Sequence, residues 1–174
     1  IITTGHNTDG IVIDSSKYVL VENVDLETGD DSISIKSGVD KDGWRVNRPS
    51  ENIVIKNSIM KKGHSSVTVG SEMSGGVRNI YIQDCSFEGS GQGVRIKSML
   101  GRGGFVENIW ARNIQMANIE NAALQFDAAY DSSTNVPASK ALPEIKNIYI
   151  DNVTATGNPP KYLVKIDGFP EQPI

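Results

Sequence analysis

The run Ile80-Tyr81-Ile82-Gln83-Asp84-Cys85-Ser86-Phe87 decides how the whole chain is read. It holds an alternating strand, an acidic bend residue two positions later, and a second short strand in which Cys85 and Phe87 point one way. The same unit returns as Val19-Leu20-Val21 with Asn23, Ile53-Val54-Ile55 with Asn57, Ile109-Trp110-Ala111 with Asn113, and Ile148-Tyr149-Ile150 with Asn152. Asn and Asp tolerate a left-handed bend and can hydrogen-bond along a stack of turns. Past the bend, Val24/Leu26, Ile114/Met116 and Val153/Ala155 repeat the alternation of Cys85/Phe87.

Outward from that unit lies another recurring strand: Ile11-Val12-Ile13, Ile33-Ser34-Ile35, Val67-Thr68-Val69, Val94-Arg95-Ile96, Leu124-Gln125-Phe126 and Val164-Lys165-Ile166. These strands are 22, 34, 27, 30 and 40 residues apart, so strands recur while the loops between them vary. Three strands per turn with unequal loops is a solenoid pattern. An all-β parallel β-helix satisfies it, with residues 1–174 as a single domain and each turn stacked about 4.8 Å from the next. Ile11, Ile33, Val67, Val94, Leu124 and Val164 then form one inward column. Cys85 joins Val24 and Ile114 in another, as a small core residue rather than a reactive thiol. A leucine-rich horseshoe would need a Leu-x-x-Leu-x-Leu pattern and a helical half, and neither is in the sequence.

Composition narrows the function classes. A net charge of −4 and a pI of about 5.2 argue against a nucleic-acid partner. No run approaches the roughly 18 apolar residues of a membrane span. The lone cysteine, Cys85, excludes an internal disulfide. Ile1 is not an initiator methionine, and no signal-peptide pattern follows it. The chain therefore reads as a piece of something longer that lacks N-terminal turns. Its first strands would present an unpaired edge, so the isolated 174 residues are expected to be poorly soluble or inactive.

Stacking the turns gathers chemistry in one place. Just before the recurring outer strand come Thr8-Asp9, Asp30-Asp31, His64-Ser65 and Gln92. Asp9 and Asp31 occupy equivalent positions in adjacent turns, and Asp30 aligns with His64. Arg95 and Lys97, two apart, share the outward face of the fourth turn. Ser34, Thr68 and Gly70 lie between, small enough to leave a groove. Three nearby carboxylates repel one another, which predicts that at least one holds a proton near neutrality. A protonated acid beside ionised ones is what glycoside hydrolysis uses, one group protonating the leaving oxygen and another activating water. Arg95 and Lys97 suit a carboxylate on the sugar.

Taken singly, these motifs have plainer readings: a solvated turn, half a calcium site, a partly buried histidine, an exposed strand face. Their convergence in the repeat favours a site. His6, Tyr130 and Glu72 could touch substrate or be surface residues. Trp44 could stack on sugar, and Trp110 could pack between turns.

At this point Asn7-Thr8-Asp9-Gly10, Gly29-Asp30-Asp31, Gly63-His64 and Arg95-Ile96-Lys97 together resemble, in order, the signature segments of the polygalacturonases, glycoside hydrolase family 28. The resemblance implies a right-handed parallel β-helix and inverting hydrolysis of α-1,4-linked galacturonate. Carried over, Asp30 is the general acid, Asp9 and Asp31 hold the attacking water, and His64 supports the acid. Arg95 and Lys97 bind substrate carboxylate. The family commonly has Gly where Ser65 follows His64, a change expected to narrow the groove or add a hydroxyl contact. Ile35-Lys36-Ser37-Gly38, Gly70–Gly76 and Arg102-Gly103-Gly104 resemble the exo-acting and bacterial branches. The insertion Val39–Pro49 could wall off one end of the groove. The expected partner is a pectic polysaccharide or oligogalacturonide, met by a secreted or periplasmic monomer without cofactor or metal. Other pectic backbones, a calcium-dependent lyase and a non-catalytic carbohydrate binder are the rival readings.

Overall fold

The computed structural model describes residues 1–3, 5–130 and 139–174. In chain order the elements are β1 (Ile11–Asp14), β2 (Lys17–Glu22), β3 (Asp25–Glu27), β4 (Ile33–Lys36), α1 (Asp40–Val46), β5 (Ser50–Lys56), β6 (Ile59–Lys61) and β7 (Ser65–Val69). There follow β8 (Val77–Glu88), β9 (Gln92–Lys97), β10 (Phe105–Ala117), β11 (Ala122–Asp127), β12 (Glu144–Thr156) and β13 (Tyr162–Asp167). One parallel sheet runs β1-β4-β7-β9-β11-β13, and a second runs β2-β5-β8-β10-β12 with β3 and β6 beside it. The result is a right-handed parallel β-helix.

The register follows the repeat. Ile11 pairs with Ile33, Ile33 with Val67, Val67 with Val94, Val94 with Leu124 and Leu124 with Val164. Ile33, Val67, Val94 and Leu124 are buried, as are Leu26, Phe87, Ile114 and Met116 from the other side. Val164, placed inward by the repeat, is 53% exposed because β13 is the outermost strand of its sheet. Cys85 is buried as expected, and burial pushes its thiol up to about 11, so it stays protonated and inert near neutrality.

The strand is interrupted at the bend in some turns and continuous in others. Early turns have separate second and third strands, β2/β3 and β5/β6. In β8, β10 and β12 the backbone keeps its parallel hydrogen bonds through the bend, so the two strands become one. Asn23, Asn57, Asp84, Asn113 and Asn152 all adopt the left-handed conformation there, with φ of 56°, 51°, 55°, 52° and 50°. Asn113 donates to Asp84 at 2.9 Å, and Asn152 to Asn113 at 2.9 Å.

A second ladder, not anticipated from the sequence, stands at the start of each of these strands. Asn52, Asn79, Asn108 and Asn147 have φ near 57° and pass hydrogen bonds from turn to turn at 3.1–3.2 Å. Its sequence signal is the Asn-Ile pair that opens each strand: Asn52-Ile53, Asn79-Ile80, Asn108-Ile109 and Asn147-Ile148. In the first turn this position is Tyr18, at φ 59° and 76% exposed. A bulky side chain is disfavoured in that backbone conformation. Tyr18→Asn is therefore expected to stabilise the fold by about 1 kcal/mol, both by relieving the backbone and by receiving Asn52. The measurement is the urea midpoint; an unchanged or lower midpoint contradicts it.

The insertion contains α1, whose seven residues are too few to show a helical period in the sequence. Asp40 and Asp42 lie in its first turn and Arg45 in its last, matching the helix dipole. Asn47 closes it in the left-handed conformation. Trp110, on the outer face of β10, stacks between Tyr81 and Tyr149 at 4.5 and 5.3 Å and so packs one turn against the next. No described helix is long and apolar enough to cross a membrane.

Candidate active site

The parallel register of the first sheet sets side chains from successive turns side by side. Asp9 and Asp31 are neighbours, since the Gly10 amide donates to the Asp31 carbonyl at 3.0 Å. Asp30 and His64 are neighbours too, the His64 amide donating to the Asp30 carbonyl at 3.0 Å. Ser34, Thr68 and Arg95 form the next outward column. Beyond it, Asp14 pairs with Lys36, and Lys97 with Asp127, with Gly70 between the two lysines because Val69 pairs with both Ile35 and Ile96.

Each acid has its own surroundings. Asp30 accepts the Asp31 amide on Oδ1 at 2.8 Å, and its Oδ1 lies 3.7 Å from His64 Nδ1. Its Oδ2 has no hydrogen bond among the described residues. Asp31 is buried, and its Oδ2 accepts from Lys97 Nζ at 3.0 Å. Its Oδ1 is buried without a partner among the described residues. Asp9 accepts from the Ser34 hydroxyl at 2.8 Å and faces Lys36 Nζ at 3.7 Å.

The cations complete the patch. Arg95 is only 4% exposed; its guanidinium is 3.4 Å from His64 Nε2 and lies over the Tyr130 ring, 5.1 Å from the centroid. Lys97 Nζ lies 5.6 Å from the same ring. Tyr130 thus braces both cations. Glu72 sits 3.5 Å from Lys36 rather than against the other cations. His6 is exposed and outside this network. So Asp9, Asp30, Asp31, His64, Arg95, Lys97 and Tyr130 come together, and Glu72 joins through Lys36.

One expectation changes. Ser65 neither narrows the groove nor offers it a hydroxyl: it is fully buried, and its hydroxyl donates to Gln92 at 3.1 Å. Trp44, half-buried, anchors the insertion through its Nε1, which donates to the Arg102 carbonyl at 2.9 Å. That bond is one of several tying α1 down. Arg102 binds Asp40 at 2.6 Å and the Ser71 carbonyl at 3.1 Å, and the Asp40 amide donates to Ser74 at 2.7 Å. The insertion, the 70–76 segment and the 101–104 segment therefore form one wall. It stands where β4, β7 and β9 end.

Lys36 is the residue that sequence reading left without a role, although the segment containing it stood out. The available signal was its register, since it shares an outward column with Lys97. Burial works against its charge, but Glu72 and Asp9 more than offset this and hold its pKa above the ordinary lysine value.

Asp30, Asp31 and His64 offer ligand atoms within 4.8 Å of one another, enough for a metal ion by distance alone. Lys97 already occupies one Asp31 oxygen at 3.0 Å, and Arg95 lies beside His64, so the local charge opposes a divalent cation.

Residues 2–173 match the family model described as Glycosyl hydrolases family 28. A probable polygalacturonase of Vitis vinifera is 32% identical over 97% of this chain and 34% of its own length. An exo-poly-alpha-D-galacturonosidase of Dickeya chrysanthemi is 27% identical over 87% of this chain and 26% of its own. The chain thus spans about a third or less of these relatives. The crystal structure of a hyperthermoactive exopolygalacturonase from Thermotoga maritima superposes with a TM-score of 0.91, at 35% identity, over 97% of this chain and 37% of that one.

Proposed function

This chain belongs to the glycosyl hydrolases family 28, and from that premise we propose that it hydrolyses the α-1,4-galacturonosidic bonds of polygalacturonate by an inverting acid–base mechanism. The single observation that carries the reading is the division of labour among the three aspartates. Asp30 has one oxygen tied to the Asp31 amide and the other open, with His64 beside it. It is the general acid, protonating the leaving glycosidic oxygen from the open oxygen, and His64 positions it.

Asp31 has one oxygen held by Lys97 and the other buried without a protein partner. A buried carboxylate oxygen left unpaired costs about 1–3 kcal/mol, so this atom suits the attacking water as acceptor. Asp9, oriented by Ser34, is the second acceptor for that water. Once water loses a proton to this pair and attacks the anomeric carbon from the face opposite the departing oxygen, the configuration inverts. Arg95 and Lys97, braced by Tyr130, bind the carboxylate of a sugar next to the scissile bond.

Action from a chain end is the favoured mode. The likeness to two proteins named as exo-acting supports it. The substrate is met where pectic polysaccharide is, outside the cytoplasm, and no cofactor is needed. The test is to incubate the full chain with polygalacturonate and resolve the products over time. Galacturonate alone from the first time point is expected. A ladder of oligomers would overturn the exo assignment. Unsaturated products absorbing in the near ultraviolet, with chelator-sensitive activity, would overturn hydrolysis in favour of a lyase. An absence of reducing ends would leave a non-catalytic binder or another pectic substrate.

A further inference from the structure

The outward column nearest the strand ends reads acid, base, gap, base, acid: Asp14, Lys36, Gly70, Lys97 and Asp127 in consecutive turns. The substrate reading uses only Lys97. We propose that Lys36 is a second substrate-carboxylate site, gripping the sugar on the Asp9 side of the scissile bond, and that Glu72 positions it there. This inference rests on the polygalacturonate reading above and deepens it.

Four observations support it. Lys36 and Lys97 end strands two turns apart, about 10 Å at the usual strand spacing, with Lys36 Nζ turned to Asp9 and Lys97 Nζ to Asp31. Gly70 puts no side chain between them, leaving the sheet surface open to a chain crossing both. Lys36 is only loosely engaged: its contacts to Glu72 and Asp9 are 3.5 and 3.7 Å, longer than the 2.7–2.9 Å of a charge-assisted hydrogen bond and than the 3.0 Å of Lys97 to Asp31. Its donors therefore remain available, and a quarter of its side chain is exposed to an incoming group.

A flanking acid sets one limit. Exposed Asp14 stands one turn past Lys36, so a polyanion meets repulsion on that side, whereas Asp127 beyond Lys97 is buried and its Oδ1 accepts the Ala129 amide. Two adjacent galacturonate carboxylates fit the cationic stretch. Glu72, on the wall, adds a negative charge beside Lys36 and so favours a single carboxylate there over several.

Affinity for a short oligogalacturonate, measured by calorimetry on the full chain with Asp30→Asn to prevent turnover, tests this. Adding Lys36→Met is expected to weaken binding about tenfold, with Lys36→Arg recovering most of it. With Asp30 intact, Lys36→Met should raise KM more than it lowers kcat. If kcat falls while KM and oligogalacturonate affinity stay unchanged, Lys36 only orients Asp9, and the inference is overturned. If no oligogalacturonate binds even with Lys36 intact, the substrate reading itself fails and takes the inference with it.

Discussion

Asp30→Asn is expected to slow polygalacturonate hydrolysis by about 10²–10⁴-fold, with no measurable change in the urea midpoint. The size follows from the role: a general acid that cannot deliver a proton leaves the glycosidic oxygen to depart as an alkoxide. The mildness toward folding follows from the geometry. Asp30 Oδ1 already accepts the Asp31 amide at 2.8 Å, and an asparagine oxygen can accept the same bond. The shape is unchanged, the contact kept, and only the transferable proton lost. The measurement is single-turnover rate at saturating substrate, beside equilibrium unfolding. A loss of less than tenfold would move the acid role away from Asp30. A large drop in stability would mean the rate loss reports misfolding instead.

Gly70→Ala is expected to do the reverse, striking the fold first. Gly70 adopts φ +93°, and a methyl group there would meet the Lys97 carbonyl oxygen at 2.0 Å. Both the backbone conformation and the contact exclude a side chain, and the neighbouring atom is backbone that cannot swing aside. A cost on the order of 3–5 kcal/mol is expected, visible as a large fall in the urea midpoint. Because the residue sits between Lys36 and Lys97, whatever fraction folds should also bind oligogalacturonate poorly. A midpoint within error of the parent would show that the turn can shift its register to accept the methyl group.

How far the sequence reaches depends on whether a residue is placed by the repeat or by a loop. Asp9, Asp31, Asp30 and His64 flank a strand whose register is uniform, so counting back from Ile11, Ile33 and Val67 puts them side by side. Arg95 and Lys97 are on the strand itself and follow from alternation. Glu72 arrives through the 70–76 segment, so its pairing with Lys36 does not follow from spacing. The wall is illegible for the same reason: Asp40 and Arg102 are 62 positions apart and meet only because two loops fold over the same edge. Ser65 shows a different limit. Its place in the column was clear, but whether its hydroxyl turned to the groove or to Gln92 depended on packing in the neighbouring turn. The Asn52–Asn147 ladder was written plainly as Asn-Ile pairs, yet it needed the left-handed backbone to reveal what the pairs do.

The two asparagine ladders also bear on how such a molecule can change over generations. From Asn52 to Asn147 and from Asp84 to Asn152 they link one turn to the next through a side-chain amide, whatever chain length separates the turns. Extending a loop costs only slowly growing closure entropy, roughly 0.6 kcal/mol per doubling, while the linkage itself is untouched. Loop segments can therefore be exchanged, lengthened or trimmed as cassettes between anchoring points that stay the same. New substrate preferences can be tried at the groove's edge by recombination, without first rebuilding the scaffold that holds the aspartates.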